Sequence, residues 1–258
     1  MIKEKREFKI RDNEIRKFLT LISLVENNNL SIETSSDLDI VKTNPILKAS
    51  AMLALYNMIE STVSNLLKYI HTEVCSKQLT YDEINDDIKN LYIIYHYKFK
   101  NKKADDVHQF AGLMNETLKL VTGKKKFDLK YQKMSEYYSI YSGNLDAKKI
   151  RTTLMKYGIK IPYFKNENNK LIKLNESEVK VLKDIGNEKI IIGHSLNVIM
   201  NTRNKLAHGE FSFEEYGRTL VTDDLNNFYK DTLFFLRLII LKVHFYIKKE
   251  RFRAKQTS

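Results

Sequence analysis

Arg203 and His208, separated by four residues, are the types that best suit acid–base chemistry at a phosphodiester. A guanidinium group binds phosphate oxygens through a fork of N–H donors, and the unperturbed pKa of histidine lies close to neutrality. Cleavage of such an ester without a metal needs a base for the attacking hydroxyl, a donor to the charged phosphorane and an acid for the leaving oxygen. One arginine–histidine pair supplies most of this set.

Both residues fall in the last turns of a predicted helix. Apolar residues precede them at roughly helical spacing, namely Ile190–Ile192, Leu196, Ile199 and Met200. Gly209 suits the left-handed conformation that ends many helices. Five helical positions place Arg203 and His208 about 140° and about 7.5 Å apart, whereas Asn204 shares a face with His208. Only the length of the arginine side chain could bring the pair together within one chain.

The residues around the pair form a longer pattern. Residues 203–210 read RNKLAHGE, and residues 212–218 read SFEEYGR. Together they resemble the R-x4-H signature of the HEPN superfamily, all-helical ribonucleases and their relatives, and most of all the MAE-type HEPN-like nucleases of bacteria. The asparagine and the AHGE ending make this pattern more specific than R-x4-H alone. Residues 55–62 and 143–151 also resemble the early helix and the central segment of that group.

The resemblance implies an all-α fold, a HEPN-like helical bundle, and a homodimer in which two R-x4-H helices form a composite active site. His208 would act as base or acid, Arg203 would stabilise the transition state, and Asn204 would orient the phosphate or the histidine. The products would carry 2′,3′-cyclic phosphate and 5′-hydroxyl ends, and no cofactor is implied. The family also implies a toxin or anti-phage effector, with an antitoxin or defence-complex partner.

Three other interpretations stay open at this point. Arg203 and His208 could simply satisfy the last carbonyls and the dipole of their helix, with Gly209 as its cap. The chain could be a dimeric RNA-binding or partner-binding module that keeps the motif without turnover. It could also be a structural dimerisation module within a larger defence complex.

The charge balance points to a polyanionic partner. The formal net charge is +12 and the isoelectric point is about 9.4, and clustered cations gain affinity for nucleic acid by releasing counterions from phosphates. A composition rich in Lys, Asn and Ile is also what an AT-rich genome produces. Candidate RNA-binding residues flank the motif or form a basic run, namely Lys205, Glu210, Arg218, Lys124, Lys125 and Lys126.

The sequence predicts no metal site and no nucleotide-driven chemistry. The remaining histidines do not pair with cysteine or carboxylates at metal-ligand spacing, namely His71, His96, His108, His194 and His244. Walker-type, Rossmann and nucleophile-elbow patterns are not present.

A cytoplasmic location without membrane contact is the expectation. The N-terminal residues lack the apolar core of a signal peptide. The apolar stretch 233–247 is short and carries Arg237, Lys242 and His244, so it falls below the length needed to span a bilayer. The single cysteine, Cys75, lies in an apolar stretch and fits a reducing compartment.

Only two prolines and eight glycines interrupt the chain, and the apolar spacing is mostly three and four residues. We predict helices at 8–26, 44–77, 80–100, 105–121 and from 222 onward, with a polar loop at 27–42. The predicted start signals are Asn44-Pro45 and a capping box at Thr80–Glu83.

A small inserted subdomain at 122–189 should separate two halves of the bundle, 1–121 and 190–250, with a basic tail at 251–258. Within the insertion, Asn144 should cap a short helix that ends at Gly158. Residues 160–164 and 170–174 could then pair as a hairpin.

Overall fold

Helices dominate the residues that the structure describes. The computed structural model describes residues 2–27, 40–100, 107–132, 144–166, 168, 170–172 and 190–254. The helices within these ranges are α1 (Ile2–Glu26), α2 (Ile40–Ser76), α3 (Asp86–Lys100), α4 (Val107–Val121), α5 (Ala147–Met155), α6 (Ser195–Ala207), α7 (Phe213–Arg218) and α8 (Thr222–Lys248). The strands are β1 (Phe164–Lys165), β2 (Leu171–Ile172) and β3 (Ile190–Ile191). The predicted all-α bundle with a small hairpin is therefore confirmed.

Helix α2 is the centre of the bundle because apolar residues recur along its whole length at helical spacing. The predicted apolar stripe is buried at Ala51, Leu55, Met58, Ile59, Val63, Leu66, Leu67, Ile70 and Val74. Helices α1, α6, α7 and α8 all pack against α2. The position of α6, which carries Arg203, is thus set by packing against the longest helix of the described residues.

The predicted start of α2 at Asn44-Pro45 is wrong, because the helix already begins at Ile40. Asn44 is buried, and its Oδ1 accepts no hydrogen bond from the described residues, so it does not act as a cap. Pro45 lies inside the helix, where its missing N–H removes one helical hydrogen bond. The predicted loop at 27–42 is wrong at its end for the same reason, and residues 28–39 lie outside the described ranges.

The predicted start of α3 at the capping box is also wrong. Glu83 Oε2 accepts hydrogen bonds from the N–H and the hydroxyl of Thr80, at 2.8 and 2.9 Å, but these residues form a turn. The helix begins at Asp86, where Asn85 Oδ1 accepts from the N–H of Ile88 at 3.0 Å. The box closes a turn before the helix because the Thr80 hydroxyl donates to Glu83, while the N–H of Glu83 donates to the Thr80 carbonyl at 3.3 Å.

The cap of α5 is Asp146 rather than the predicted Asn144. Asp146 Oδ1 accepts from the N–H of Lys149 at 2.6 Å, whereas Asn144 has a φ of 54°. Gly158 has a φ of 75°, so the predicted glycine end of this segment is confirmed.

The predicted hairpin is confirmed where the structure describes it, and a third strand joins it. β1 lies between β2 and β3, with Phe164 opposite both Ile172 and Ile191 in antiparallel pairing. The assignment of Ile190–Ile191 to a helix is therefore wrong. β-Branched residues favour strands, and Gly193, with a φ of 77°, separates β3 from the start of α6.

The predicted helices at 8–26, at 105–121 and from 222 are confirmed, although α1 begins earlier, at Ile2, and α4 is described from Val107. Over the described part of the chain, no helix is both long enough and apolar enough to cross a membrane. The division at 121, 189 and 250 stays a prediction.

The chain after α8 folds back onto the bundle as far as residue 254. Phe252 is fully buried, and its carbonyl accepts the N–H of Asn85 at 2.8 Å. The N–H of Ala254 donates to the carbonyl of Glu83 at 2.9 Å. The first part of the predicted basic tail is thus held by backbone hydrogen bonds, and residues 255–258 lie outside the described ranges.

Candidate active site at the end of helix α6

The start of α6 is capped by a carboxylate from another helix. Asp231, on α8, accepts the N–H of Gly193 at 3.1 Å and the N–H of Ser195 at 2.9 Å. His194, the residue before the helix, makes no side-chain capping bond. A negative charge at a helix N-terminus also favours the helix dipole. Asp231 therefore fixes the first turn of the helix that carries the motif.

A buried arginine holds the chain just before α6. Arg151 is 6% exposed and donates hydrogen bonds to the carbonyls of Pro162 and Ile192, at 3.0 and 2.7 Å. Its guanidinium carbon lies 4.5 Å from the ring centre of Tyr163 and 5.1 Å from that of Phe235. Burial lowers the pKa of Arg151. This arginine therefore joins α5 to the segments that flank β1 and β3 and to α8.

Helix α7 supports the other end of α6. The Thr202 and Tyr216 hydroxyls are hydrogen-bonded at 2.5 Å. Tyr216 is held in place because Ser212 and Glu215 form a capping box, and the hydrogen bond from the Ser212 backbone lowers the pKa of Glu215. A Cβ at Gly217 would lie 1.8 Å from the carbonyl oxygen of Pro45. Glycine thus allows α7 to touch the backbone of α2.

Arg203 is half-buried and held on two sides. Its guanidinium carbon lies 5.2 Å from the ring centre of Tyr56, and its Nη1 donates to Asn204 Oδ1 at 3.2 Å. The hydroxyl of Tyr56 accepts the N–H of Leu145 at 3.3 Å, which fixes the ring. Stacking on an aromatic face and a neighbouring amide restrict the guanidinium before any ligand binds.

His208 is the C-cap residue of α6, and its imidazole is exposed. Within the described residues the ring makes no hydrogen bond, ion pair or ring contact. The carbonyls of Asn204, Lys205 and Leu206 accept backbone N–H groups from His208, Glu210 and Gly209. Gly209 has the left-handed φ, 70°, that the sequence predicted. Because the backbone already satisfies these carbonyls, the His208 side chain is not needed as a cap.

Arg203 and His208 are not bonded to each other within one chain. Arg203 lies against Tyr56 and Asn204, while His208 is exposed at the end of the helix. The expected angular separation is therefore not overcome by the length of the arginine side chain. Asn204 is tied to Arg203 through its side chain and to His208 through its carbonyl.

Of the other candidate RNA-binding residues, three lie beside the motif. Lys205 is exposed, with Nζ 5.5 Å from the ring centre of Phe211. Glu210 is exposed, and Arg218 forms an exposed ion pair with Glu214.

The basic run Lys124, Lys125 and Lys126 lies far from these three. The N–H of Phe127 donates to the carbonyl of Leu79, just beyond the C-terminus of α2, and Lys125 forms a 2.6 Å ion pair with Glu116. Arg203 contacts α2 at Tyr56, so about 20 residues of helix, or roughly 30 Å, separate the two regions. The structure therefore does not bring all of the candidate residues together.

Sequence reasoning did not assign roles to Tyr56, Arg151, Tyr216 or Asp231. The first three lie inside the stretches that resemble the HEPN group, so the resemblance could have drawn attention to them. Asp231 lies in α8 outside them, and nothing local marks it as the cap of α6. In the part of the chain that the structure describes, no group of three or more histidine, cysteine or acidic side chains could hold a metal ion.

Comparison with protein families adds one finding to this geometry. A model of the MAE_28990-like HEPN family matches residues 4–252. No curated protein and no solved structure gives a significant match. The family match covers nearly the whole chain, from α1 through the buried Phe252. The chain therefore belongs to the MAE_28990-like HEPN family.

Proposed function

We propose that this protein is a metal-independent endoribonuclease whose active site is made by two copies of the chain. It cuts cellular RNA in the cytoplasm, as a toxin or an anti-phage defence effector. HEPN domains are commonly ribonucleases, and the net charge of +12 suits an RNA substrate. The observation that carries the proposal is the His208 imidazole, which is exposed and has no partner among the described residues, five residues after an arginine that is already held in place.

The chemistry follows from the donor and acceptor groups of these residues. One His208 takes the proton from a 2′-hydroxyl, and the 2′-oxygen attacks the adjacent phosphorus. The bond from phosphorus to the 5′-oxygen breaks, and the second His208 gives a proton to that oxygen. Arg203 donates hydrogen bonds to the non-bridging oxygens as their charge grows. The products are a 2′,3′-cyclic phosphate and a 5′-hydroxyl, with no net gain or loss of protons.

Asn204 orients the site without moving a proton. Its side-chain oxygen accepts a hydrogen bond from Arg203, and its carbonyl accepts the backbone N–H of His208. Each contact restricts the direction of one catalytic group, which lowers the entropy cost of reaching the transition state.

Two copies are needed because Arg203 and His208 of one chain do not meet. An Arg203 that is fixed on Tyr56 can serve the His208 of a second chain placed across a two-fold axis. Exposed apolar residues at the same end of the molecule support such an interface: Phe211 is 41% exposed and Val221 is 58% exposed. Lys205 beside Phe211 then lies where RNA would enter.

The exposure of the site also suits an effector whose activity is controlled by a partner protein. The imidazole of His208 and the flanking residues 207–212 are exposed, so a partner protein or antitoxin could cover them directly. Cys75 is half-buried, and burial raises the pKa of its thiol to about 11, which suits a structural residue in a reducing compartment.

The test is to incubate the purified protein with total bacterial RNA in EDTA and to map the product ends. Wild-type protein should leave cyclic phosphates and 5′-hydroxyls, whereas Arg203→Ala and His208→Ala should each lose about 100-fold or more in rate. His194→Ala is the matched control, because His194 is an exposed histidine at the other end of α6. Cleavage that survives in His208→Ala, or that requires a divalent metal, would contradict the proposal.

A further inference from the structure

A cleft of about 770 Å³ lies beside the C-terminal end of α2, where Lys77 binds Glu250 of the cleft lining. It is lined by Asn85, Asp87, Tyr157, Gly158, Tyr246, Lys248, Lys249, Glu250, Arg251, Arg253 and Ala254. Four of these side chains are cationic and two are carboxylates. The cleft is therefore basic, and the motif residues do not line it.

The carboxylate of Glu250 is already neutralised from two sides. Lys77 binds one of its oxygens at 2.6 Å, and Arg253 donates to the other at 2.5 Å. Hydrogen bonds from Lys77 and Arg253, and to a smaller extent their charges, lower the pKa of Glu250, so it stays charged and paired. Among the residues that line the cleft, Asp87 is the only carboxylate without such ion pairs. It is therefore the only one whose charge would repel an incoming anion.

Three cations are left to bind a ligand. Lys248, Lys249 and Arg251 are exposed, and among the described residues their side chains form no ion pair. Nearby, hydrogen bonds from Thr80 and, more weakly, the charges of Lys126 and Arg253 lower the pKa of Glu83. Lys126, the last residue of the predicted basic run, thus lies near the same carboxylate as Arg253 of the cleft lining.

The cationic turn is rigid rather than a loose tail. Buried Phe252 anchors it, Asn85 Nδ2 donates to the carbonyl of Arg251 at 2.7 Å, and a bridge pairs Ile84 with Arg253. A preorganised row of cations loses less conformational entropy on binding a polyanion than a flexible one. Tyr246, which also lines the cleft, has a buried hydroxyl without a hydrogen-bond partner in the described residues. Such a group calls for a water or a ligand atom.

We propose that this basic cleft is a second RNA-binding site, which holds the phosphate backbone of a substrate that is cut at the R-x4-H motif. The inference rests on the proposed ribonuclease function. The separation of roughly 30 Å along α2 corresponds to about nine nucleotides of a stacked strand, at the duplex rise of ~3.4 Å each, and to fewer nucleotides of an extended strand. Only RNAs long enough to span this distance can reach both sites, so the cleft favours long single-stranded substrates over short ones.

The experiment compares two triple variants that remove the same charge. Lys248→Gln/Lys249→Gln/Arg251→Gln empties the cleft of its unpaired cations, and Arg6→Gln/Lys17→Gln/Lys230→Gln removes three exposed cations from α1 and α8. Both are made in a His208→Ala background so that RNA is not cut. Binding of a 30-nucleotide single-stranded RNA is measured across salt concentrations, and circular dichroism checks folding.

Loss of three phosphate contacts should lower the slope of log K against log salt by about 2, since each contact on a single strand contributes about 0.7. The α1 and α8 variant should keep the wild-type slope. Equal effects of both variants, or an unchanged slope in the cleft variant, would overturn the second site. In either case, cleavage is measured separately in the proteins that keep His208. A result that overturns the second site therefore does not overturn the ribonuclease proposal.

Cleavage of two substrate lengths gives the second readout. With His208 intact, the cleft variant should lose at least about 10-fold in kcat/KM on the 30-nucleotide RNA, given the affinity that three phosphate contacts supply. On a trinucleotide, which is too short to reach the cleft from the motif even when fully extended, it should match wild type. A loss that is equal for both lengths would mean that the cleft does not act as a separate site.

Discussion

Two histidines of this chain, His71 and His208, differ in their surroundings, since the first is buried and the second is exposed. His71 is 4% exposed near the C-terminal end of α2, and each ring nitrogen has a partner: the Leu129 carbonyl at 2.6 Å and the Tyr157 hydroxyl at 2.7 Å. His208 is exposed at the end of α6 and has no partner among the described residues. The first is built into the core, while the second is open to solvent.

The partners of His71 also fix its protonation. A carbonyl only accepts, so Nδ1 carries the hydrogen and donates it to Leu129, and Nε2 accepts from the Tyr157 hydroxyl. Burial lowers the pKa of His71 to about 4, so its ring is neutral at physiological pH. The comparison shows that histidine serves as structure where its hydrogen bonds are complete, and is suited to chemistry where they are not.

Substitution of His208 should give the largest effect and should separate activity from stability. His208→Ala should lower the cleavage rate by about 10²–10⁴-fold, the usual contribution of a general acid or base. The free energy of unfolding should change by less than about 0.5 kcal/mol, because an exposed side chain without partners is lost. Rates on a labelled RNA and urea titrations measure both. A large loss of stability in this variant would remove the contrast with His71.

The pH dependence of stability should report on His71. Its pKa is about 4 in the folded state against the ordinary 6.5, so between these values the unfolded state binds a proton that the folded state does not. Stability should therefore rise with pH through this window, by up to about 3 kcal/mol, and level off above it. Urea titrations from pH 4 to 7.5 measure the slope.

Two variants identify the source of that slope. His71→Leu, which has no titrating ring, should be less stable at neutral pH and should lose most of the slope. His208→Ala should keep the wild-type slope. A slope that persists in His71→Leu would assign it to other groups and would undo the comparison.

Much of the fold could be predicted because its signals are local. In both α2 and α8, apolar residues recur three and four positions apart, which is the spacing of a buried helix face. The strand at Ile190–Ile191 was missed because its partner, Phe164, lies elsewhere in the chain. Helix α7 was missed although Ser212 and Glu215 have the spacing of a capping box, so here a local signal was present and not used.

The candidate site divides in the same way. The candidate motif could be proposed from sequence because Arg203, Asn204 and His208 are close together along the chain. The groups that hold it could not, since Tyr56 lies on α2 and Asp231 on α8, and only packing brings them to α6. Periodicity predicts which residues are buried, but it does not predict which distant polar group satisfies a helix end.

The smallest effect is expected at the start of α6, where Asp231 is fully partnered like His71 but supports the helix that carries His208. Asp231→Asn keeps the size of the side chain and replaces one acceptor oxygen by a donor that faces a backbone N–H. Stability should fall by about 1 kcal/mol, as for loss of a helix cap. The cleavage rate should fall less than in His208→Ala, and through kcat rather than KM, because Asp231 positions the helix and does not touch RNA. Asp82→Asn, an exposed carboxylate in a turn, is the control. If kcat is unchanged while stability falls, the start of α6 is a purely structural element, and Asp231 has no influence on the position of His208.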